Sequence, residues 1–144
     1  MKTYLVTGGA GFIGSYVVDA LNDRGAKVVI IDNFYNNYNP EYKRRNISHH
    51  QDNESIEIIE GSICDQDLLD EIFNKYDFES VIHLAAIPGV RPSIEDPLVY
   101  EKSNIRGQFS IYEKAKEYGV KNIVDASSSS VYGNQEKTPY SEDD

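Results

Sequence analysis

The stretch Thr7-Gly8-Gly9-Ala10-Gly11-Phe12-Ile13-Gly14 directly follows a short apolar run at residues 4–6 and opens a helical pattern. Gly8 allows a tight turn, Gly11 lets the backbone approach a diphosphate closely, and Gly14 lets the helix pack against the strand. The N-terminus of such a helix offers free N–H groups and the positive end of its dipole. The alternative is that the glycines mark only a turn and a close helix contact, but the strand-turn-helix context favours a dinucleotide site.

The rest of the chain alternates apolar runs with helical patterns. The runs at residues 4–6, 28–31, 56–59, 81–84 and 123–124 are rich in β-branched residues and lack polar alternation, which predicts buried parallel strands. Gly25 and Gly119 stand where the C-terminal caps of intervening helices belong. This alternation predicts an α/β fold with a doubly wound parallel sheet, a Rossmann fold, in the strand order 3-2-1-4-5. The helical patterns comprise Ile13, Val17, Ala20 and Leu21; Leu68, Leu69, Ile72, Phe73 and Tyr76; and Ile105, Phe109, Tyr112 and Ala115.

The segment at residues 33–53 breaks this alternation, because it is rich in Asn, Tyr and charged residues. Only a weak helical stretch at residues 41–47 interrupts it, so we expect a long surface excursion. His49 and His50 are adjacent, which would place them on different faces of any helix, and no further ligand lies at a suitable spacing. We therefore expect no metal site.

The formal net charge of -10 argues against nucleic acid and anionic membranes as partners, because both carry negative charge. Any anionic ligand must then be held by local geometry, which the predicted helix N-terminus supplies. Cys64 is the only cysteine, so the chain has no disulfide framework. No apolar stretch is long enough to span a bilayer or to act as a signal sequence. Together these features predict a cytoplasmic protein.

Asp32 ends the second apolar run, about 20 residues after the glycines, where a carboxylate can accept both hydroxyls of an adenosine ribose. A carboxylate at this place would repel the 2′-phosphate of NADP, and no Arg follows directly to bind that phosphate. The sequence therefore predicts NAD as the cofactor. The alternative is that Asp32 is an ordinary turn residue at the end of a strand.

Four motifs in order resemble those of the extended short-chain dehydrogenases, and the resemblance covers the whole chain. Within that group the chain is similar to nucleotide-sugar 4-epimerases, and residues 32–47 with Gly89-Val90-Arg91-Pro92-Ser93 most resemble the UDP-glucuronate 4-epimerases. The motifs are the glycine stretch at residues 7–14, Asp32-Asn33-Phe34, His83-Leu84-Ala85-Ala86, and Ser127-Ser128-Ser129-Ser130-Val131-Tyr132-Gly133.

The resemblance implies roles for particular residues. Ser128 would be the active-site hydroxyl bonded to the sugar 4-oxygen, Ser129 would help shape the pocket, and Arg91 is a candidate ligand of a substrate carboxylate or phosphate, or a solvent-facing loop residue. Many relatives carry Asp where this chain has Ser62, so contact with adenine would rest on Ile63 and Asp65. The implied cofactor-binding residues are Gly8, Gly11, Phe12, Ile13, Gly14, Asp32, Asn33, Ser62, Ile63, Leu84, Ala85, Ala86 and Asn104.

Three residues have structural interpretations that we favour over functional ones. Asp65 precedes a helical pattern and is well placed as its N-cap, although it could also contact adenine. His83 ends a strand, where an imidazole usually satisfies backbone groups, so we assign it no chemistry. Tyr112 belongs to an apolar helical stripe, and we expect it to pack in the core.

The family's catalytic Tyr-x-x-x-Lys motif follows the serine run, whereas the only such spacing here, Tyr112 with Lys116, precedes Ser128. We therefore expect residues 1–144 to be an N-terminal NAD-binding domain, ending after the fifth strand, without the substrate domain and inactive alone. The resemblance implies that the parent enzyme transiently oxidises C4 of a UDP-sugar and that it forms a homodimer. The alternatives are a 4,6-dehydratase or a reductase, or a non-catalytic NAD-binding protein; the run Ser128-Ser129-Ser130 in place of Thr-Asp-Glu favours an epimerase.

Overall fold

Five parallel strands form one sheet in the order β3-β2-β1-β4-β5 in a computed structural model that describes residues 1–144. This order confirms the predicted doubly wound arrangement, with β1 at the centre between β2 and β4. Tyr4 pairs with Val28 on one side and with Ser80 on the other. The strands are β1 (Thr3–Thr7), β2 (Lys27–Asp32), β3 (Ile56–Glu60), β4 (Ser80–His83) and β5 (Ile123–Asp125).

Helices cover both faces of the sheet. Gly25 and Gly119 adopt positive φ angles of 74° and 70°, and the next residue in each case donates its N–H back into the preceding helix. The predicted C-terminal caps are therefore confirmed. The helices are α1 (Phe12–Asp23), α2 (Pro40–Ile47), α3 (Gln66–Lys75), α4 (Val90–Glu95), α5 (Pro97–Tyr100) and α6 (Gly107–Glu117), with 3₁₀ turns at Ser48–His50 and Ser129–Tyr132 and a π-helical turn at Glu101–Arg106.

Alternate side chains of the central strands point to opposite faces of the sheet and pack in two separate apolar cores. Leu5 faces the core beneath α3 and α6, whereas Val6 faces the core beneath α1 and α2. The first core also holds Leu69, Phe73 and Ile111, and the second holds Val18 and others. Because both faces of β1 and β2 are buried, these strands show no polar alternation, as the sequence predicts.

The prediction that all five strands are buried is wrong for β5 and holds only in part for β3, in which Ile56 is buried and Ile58 and Ile59 are partly buried. In β5, which pairs only with β4, Ile123 and Val124 are 37% and 57% exposed. Its last residue, Asp125, accepts hydrogen bonds from Tyr112 and Gln108 on α6. The expectation that Tyr112 packs in the core holds only in part: the side chain is partly buried, and its hydroxyl links α6 to the sheet edge.

The apolar faces predicted for α1 and α6 are also partly wrong. Ile13 and Phe109 are 64% and 63% exposed, so neither packs into the core. In α6 the inward face carries Gly107 and Ile111 beside the predicted Ala115. A methyl group on Gly107 would lie 2.5 Å from Cδ1 of Ile63, so a small residue is needed where this helix approaches the chain segment after β3.

The segment at residues 33–53 is more than a surface excursion. Its weak helical stretch forms α2, and Phe34 and Ile47 join the core beneath α1 and α2. Phe34 adopts a positive φ of 49°, an uncommon conformation for a non-glycine residue, and its side chain is buried. Apolar contacts of these two side chains therefore hold the segment against the domain.

The prediction that His49 and His50 face apart is wrong. Both residues lie in the 3₁₀ turn after α2, and the Nε2 atoms of both point to Oδ1 of Asp19 in α1, at 2.9 and 2.6 Å. His50 is 5% exposed. A 3₁₀ turn directs adjacent side chains differently from an α-helix, and here the two ring centroids lie 3.9 Å apart with the ring planes tilted by 42°.

None of the helices in the structure combines the length and the apolar character needed to cross a bilayer.

Candidate functional site

A cavity of about 730 Å³ opens at the carboxyl ends of the five strands. Ligands of open α/β sheets bind in this place, and the volume falls within the usual range for small-molecule sites. Among its lining residues are one carboxylate, Asp32, and two lysines, Lys43 and Lys102. Every residue predicted to bind the cofactor lines this cavity except Asn104: Gly8, Gly11, Phe12, Ile13, Gly14, Asp32, Asn33, Ser62, Ile63, Leu84, Ala85 and Ala86.

The glycine turn forms one wall of the cavity. Gly8 has a φ of 69°, and a methyl group there would lie 2.9 Å from the backbone of Ala85, so only glycine fits. A methyl group on Gly14 would overlap the carbonyl oxygen of Gly8. The helix therefore packs against its own turn at this point, which corrects the expectation that Gly14 contacts the strand.

The N-terminus of α1 faces this cavity without a cap from the chain. Gly11 is the N-cap residue, and no side chain accepts a hydrogen bond from the first turn. Phe12 and Ile13 line the cavity from the same turn. Because the first N–H groups of a helix lack partners within it, this end of α1 can donate hydrogen bonds to an anion.

Asp32 is 7% exposed and holds the turn against the end of β2. Its Oδ2 accepts the N–H of Ala10 at 3.1 Å, and its Oδ1 accepts the N–H of Phe34 at 2.8 Å. Each carboxylate oxygen has a second lone pair, so both oxygens can still accept a hydroxyl donor from the cavity. The interpretation of Asp32 as a turn residue and its interpretation as a ligand residue are thus compatible.

A buried hydroxyl supports the segment after β4. Oγ1 of Thr7 accepts the N–H groups of Leu84 and Ala85, each at 3.1 Å, and lies 2.7 Å from Nδ1 of His83. Burial lowers the pKa of the His83 imidazole, and the Asp125 carboxylate opposes this shift in part. The expectation that His83 satisfies backbone groups is therefore wrong, because its partner is the buried hydroxyl of Thr7.

Asn104 supports the cavity wall through hydrogen bonds to the backbone of Ile87. Its Oδ1 accepts the N–H of Ile87 at 2.8 Å, and its Nδ2 donates to the carbonyl oxygen of the same residue at 2.9 Å. Ile87 lines the cavity, whereas Asn104 does not. Asn104 therefore holds the chain after Ala86 in place and does not itself face the enclosed space.

Lys43 is a cavity residue that the sequence analysis missed. It is 8% exposed, and its Nζ donates to the carbonyl oxygen of Tyr35 at 2.9 Å and to Oδ1 of Asn37 at 3.2 Å. Burial lowers the pKa of the Lys43 ammonium, while the Asp32 carboxylate opposes this shift. The polar composition of residues 33–53 suggested an exposed segment, so no local signal marked this lysine as buried.

The residues predicted to bind substrate lie outside the cavity. Ser128 and Ser129 are exposed, and Oγ of Ser128 accepts the N–H of Ser130 at 3.2 Å at the start of a 3₁₀ turn. The Arg91 side chain is 93% exposed and faces Glu95 at 3.9 Å. Asp65 also lies outside the cavity and accepts the N–H of Leu68 at 3.1 Å, which confirms that it caps α3.

Known proteins resemble the chain along nearly all its length. The profile of the family described as GDP-mannose 4,6 dehydratase matches residues 5–144. The UDP-glucose 4-epimerase of Homo sapiens is 42% identical over 143 residues, which cover 96% of this chain and 40% of that protein. The UDP-glucuronate 4-epimerase 1 of Arabidopsis thaliana is 46% identical over 141 residues, which cover 97% of this chain and 33% of that protein.

A solved structure agrees with these similarities. The UDP-glucuronic acid 4-epimerase of Bacillus cereus, in complex with UDP-glucuronic acid and NAD, superposes with a TM-score of 0.85 at 36% identity. The match covers 98% of this chain and 44% of that one, so the chain spans less than half the length of these relatives. The resemblance to nucleotide-sugar 4-epimerases that the motifs predict is confirmed, and the chain belongs to the GDP-mannose 4,6 dehydratase family.

Proposed function

We propose that this chain is the NAD-binding part of a UDP-sugar 4-epimerase, and that the sugar is glucuronate. The cavity at the carboxyl edge of the sheet carries this proposal, because a glycine turn and a buried carboxylate lie on its walls. The assignment of glucuronate is supported by relatives that are named UDP-glucuronate 4-epimerases, one of which is 46% identical to this chain. In such an enzyme, bound NAD supplies reversible acceptance of hydride from C4 of the sugar.

The phosphates would lie against the N-terminus of α1. Gly11 lines the cavity, and a methyl group there would lie 3.2 Å from the carbonyl oxygen of Gly8, which also lines it, so glycine leaves room for a close ligand. The unpaired N–H groups and the helix dipole attract negative charge locally, even though the whole chain carries a net charge of -10. This arrangement binds a diphosphate without any cationic side chain.

The adenosine ribose would lie beside Asp32. One lone pair on each of its oxygens is used by a backbone N–H, which fixes the carboxylate plane, and the remaining pair can accept a ribose hydroxyl. A 2′-phosphate would bring its negative charge against this carboxylate, which favours NAD over NADP. Lys43, held by Tyr35 and Asn37, would border the same end of the cofactor.

The sugar would lie beyond the nicotinamide, near the serine run that follows β5. We propose that Ser128 bonds to the sugar 4-oxygen with Ser129 beside it, and that Arg91 binds a substrate anion. These three side chains are exposed in residues 1–144 and form no enclosed site. Substrate residues from other parts of the protein would therefore be needed to enclose the sugar, as would a base that takes the proton of its 4-hydroxyl.

The alternative function is that of a 4,6-dehydratase, which the description of the matching family suggests. A dehydratase needs an acid and a base that remove water across C5 and C6 of the sugar, in addition to the oxidation at C4. The chain has Ser128-Ser129-Ser130 where the resemblance places Thr-Asp-Glu in dehydratases, so the acid and base are missing from this position. The epimerase is therefore the better proposal. We also propose a cytoplasmic location and a homodimer for the whole protein.

Titration with NAD followed by calorimetry tests the proposal directly. We expect saturable binding with one NAD per chain and weaker binding of NADP. Residues 1–144 alone should not epimerise UDP-glucuronate, since their one Tyr-x-x-x-Lys spacing lies on α6, where Tyr112 is bonded to Asp125. Absence of NAD binding by the folded protein would refute the proposal. Conversion of UDP-glucuronate by these residues, followed by proton NMR, would refute the assignment of the base to another part of the protein.

A further inference from the structure

Three potential metal ligands converge on the surface between α1 and the 3₁₀ turn after α2. Oδ1 of Asp19 lies 2.9 Å from Nε2 of His49 and 2.6 Å from Nε2 of His50. The three ligand atoms all lie within 4.8 Å of one another. The side chain of His50 is 6% exposed, whereas those of Asp19 and His49 are 40% and 54% exposed. The cluster therefore has one buried ligand and an open side from which an ion can enter.

The chemistry of these donors suits a divalent transition metal. Two imidazole nitrogens and one carboxylate oxygen form a common ligand set for Zn²⁺, which binds such atoms at about 2.0–2.2 Å. In a tetrahedral site of that size the ligand atoms lie about 3.3 Å apart. The present separations of 2.6 and 2.9 Å would have to widen by about half an ångström, which small side-chain rotations can supply. Water would complete the coordination on the open side.

Charge around the cluster also favours a cation. No Lys or Arg lies within ion-pairing distance of Asp19, whose only ion-pair partners are the two histidines. The chain as a whole carries a net charge of -10. When both imidazoles are neutral, each donates Nε2–H to the single oxygen, and metal binding only requires each proton to move to Nδ1 of the same ring. The cluster can therefore exchange two hydrogen bonds for three coordinate bonds.

We propose that Asp19, His49 and His50 form a Zn²⁺ site that links α1 to the 3₁₀ turn following α2. None of these residues lines the cavity at the sheet edge, so the site is separate from the proposed NAD site. Both linked elements nevertheless contribute to that cavity elsewhere, α1 through Phe12 and α2 through Lys43. The metal would hold these two elements together on the side remote from the cofactor.

Calorimetric titration of the purified, metal-free protein with ZnCl₂ tests the proposal. We expect one saturable site per chain and a rise of the thermal unfolding midpoint when zinc is present, because the ion binds only the folded arrangement. Asp19→Asn keeps an oxygen that can accept hydrogen bonds but removes the charge, and His49→Ala removes an exposed ligand. Each should weaken zinc binding by at least about tenfold. His50 is left unchanged because it is buried.

Two matched variants control for other zinc ligands. Asp23→Asn removes an exposed carboxylate one turn further along α1, and Cys64→Ser removes the only thiol. Neither should change the affinity for zinc, and Mg²⁺ should not compete, because it prefers oxygen ligands. Circular dichroism checks that each variant is folded. The proposal is overturned if the unaltered protein shows no saturable zinc binding, if Asp19→Asn and His49→Ala bind as tightly as it does, or if Cys64→Ser abolishes binding.

Discussion

Oγ1 of Thr7 lies 2.7 Å from Nδ1 of His83, joining the carboxyl ends of β1 and β4 inside the fold. The hydroxyl oxygen accepts the N–H of Ala85 and shares the N–H of Leu84 with the carbonyl oxygen of Thr7, so its single hydrogen is left to point to His83. Nδ1 of His83 is therefore an acceptor, and the neutral ring carries its proton on Nε2. This contact positions the backbone that borders the cavity.

Replacing Thr7 with Val should destabilise the protein strongly. Val has a similar shape but would leave the N–H of Ala85 and Nδ1 of His83 without a partner at a fully buried position. We expect the free energy of unfolding to fall by about 3 kcal/mol. Thr7→Ser, which keeps the hydroxyl and loses one methyl group, should cost about 1 kcal/mol. Urea denaturation measures both; equal stability of Thr7→Val and the unaltered protein would contradict the assigned hydrogen bonds.

The stability of the protein should decrease in mild acid because of His83. Burial lowers the pKa of His83 in the folded state, with Asp125 partly opposing, so the unfolded chain binds the proton more tightly. The contribution of neutral His83 to the free energy of unfolding is therefore complete above about pH 6.5. It is lost as the pH falls through the pKa that His83 has in the folded state. His83→Gln should show a flatter dependence between about pH 7 and pH 5. Parallel pH profiles of the two proteins in denaturation experiments would exclude this role.

Two glycine substitutions should separate folding from cofactor binding. Gly11 has φ -71° and ψ 176°, which any residue adopts, and a methyl group there would meet only the carbonyl oxygen of Gly8, at 3.2 Å, so Gly11→Ala should lower the free energy of unfolding by about 1 kcal/mol at most. Its methyl group would occupy space proposed for the phosphates, and NAD affinity should fall at least about tenfold. Gly14→Ala would overlap the carbonyl oxygen of Gly8 and should also lower stability by about 2 kcal/mol. Calorimetry measures the NAD affinity of each variant, and urea denaturation measures its free energy of unfolding. The prediction is wrong if Gly11→Ala binds NAD as tightly as the unaltered protein.

Replacing Asp32 with Asn should weaken NAD binding and reduce the preference over NADP. The amide removes the negative charge that would repel a 2′-phosphate, and it also loses one acceptor oxygen for Ala10 or Phe34. We expect the ratio of the dissociation constants of NADP and NAD to fall by about tenfold. Calorimetric titration with each dinucleotide measures this ratio. Asp23→Asn on the exposed side of α1 is the matched control, and an unchanged ratio in Asp32→Asn would mean that the carboxylate does not select the cofactor.

The part of the cavity wall that could be predicted from the sequence is the part whose features are local. The glycine turn, the strand that precedes it and the carboxylate at the end of β2 each follow from residue type and spacing along a short stretch. Asp65 could likewise be predicted as an N-cap, since a cap contacts the backbone three residues away. Such contacts depend on the path of one segment only, and that path follows from its own residues.

Contacts between distant segments could not be predicted in this way. Lys43 lies in a polar segment, and only the docking of α2 buries its ammonium next to Tyr35. Asp19 and His50 are separated by 31 positions, and their contact depends on how a 3₁₀ turn packs against α1. The exposure of Phe109 depends on which side of α6 approaches Ile63, because Gly107 lets the helix come close there.

The sequence by itself determined the alternation of strands and helices and the position of the phosphate turn, because periodic spacing and glycine placement act through the backbone; the strand order follows from the doubly wound fold that this alternation indicates. Only the tertiary structure decided which side chains meet across elements: Thr7 with His83, Asp19 with both histidines, and Lys43 with the cavity wall. The physical reason is that packing of one element on another selects a few contacts from many that local spacing allows equally.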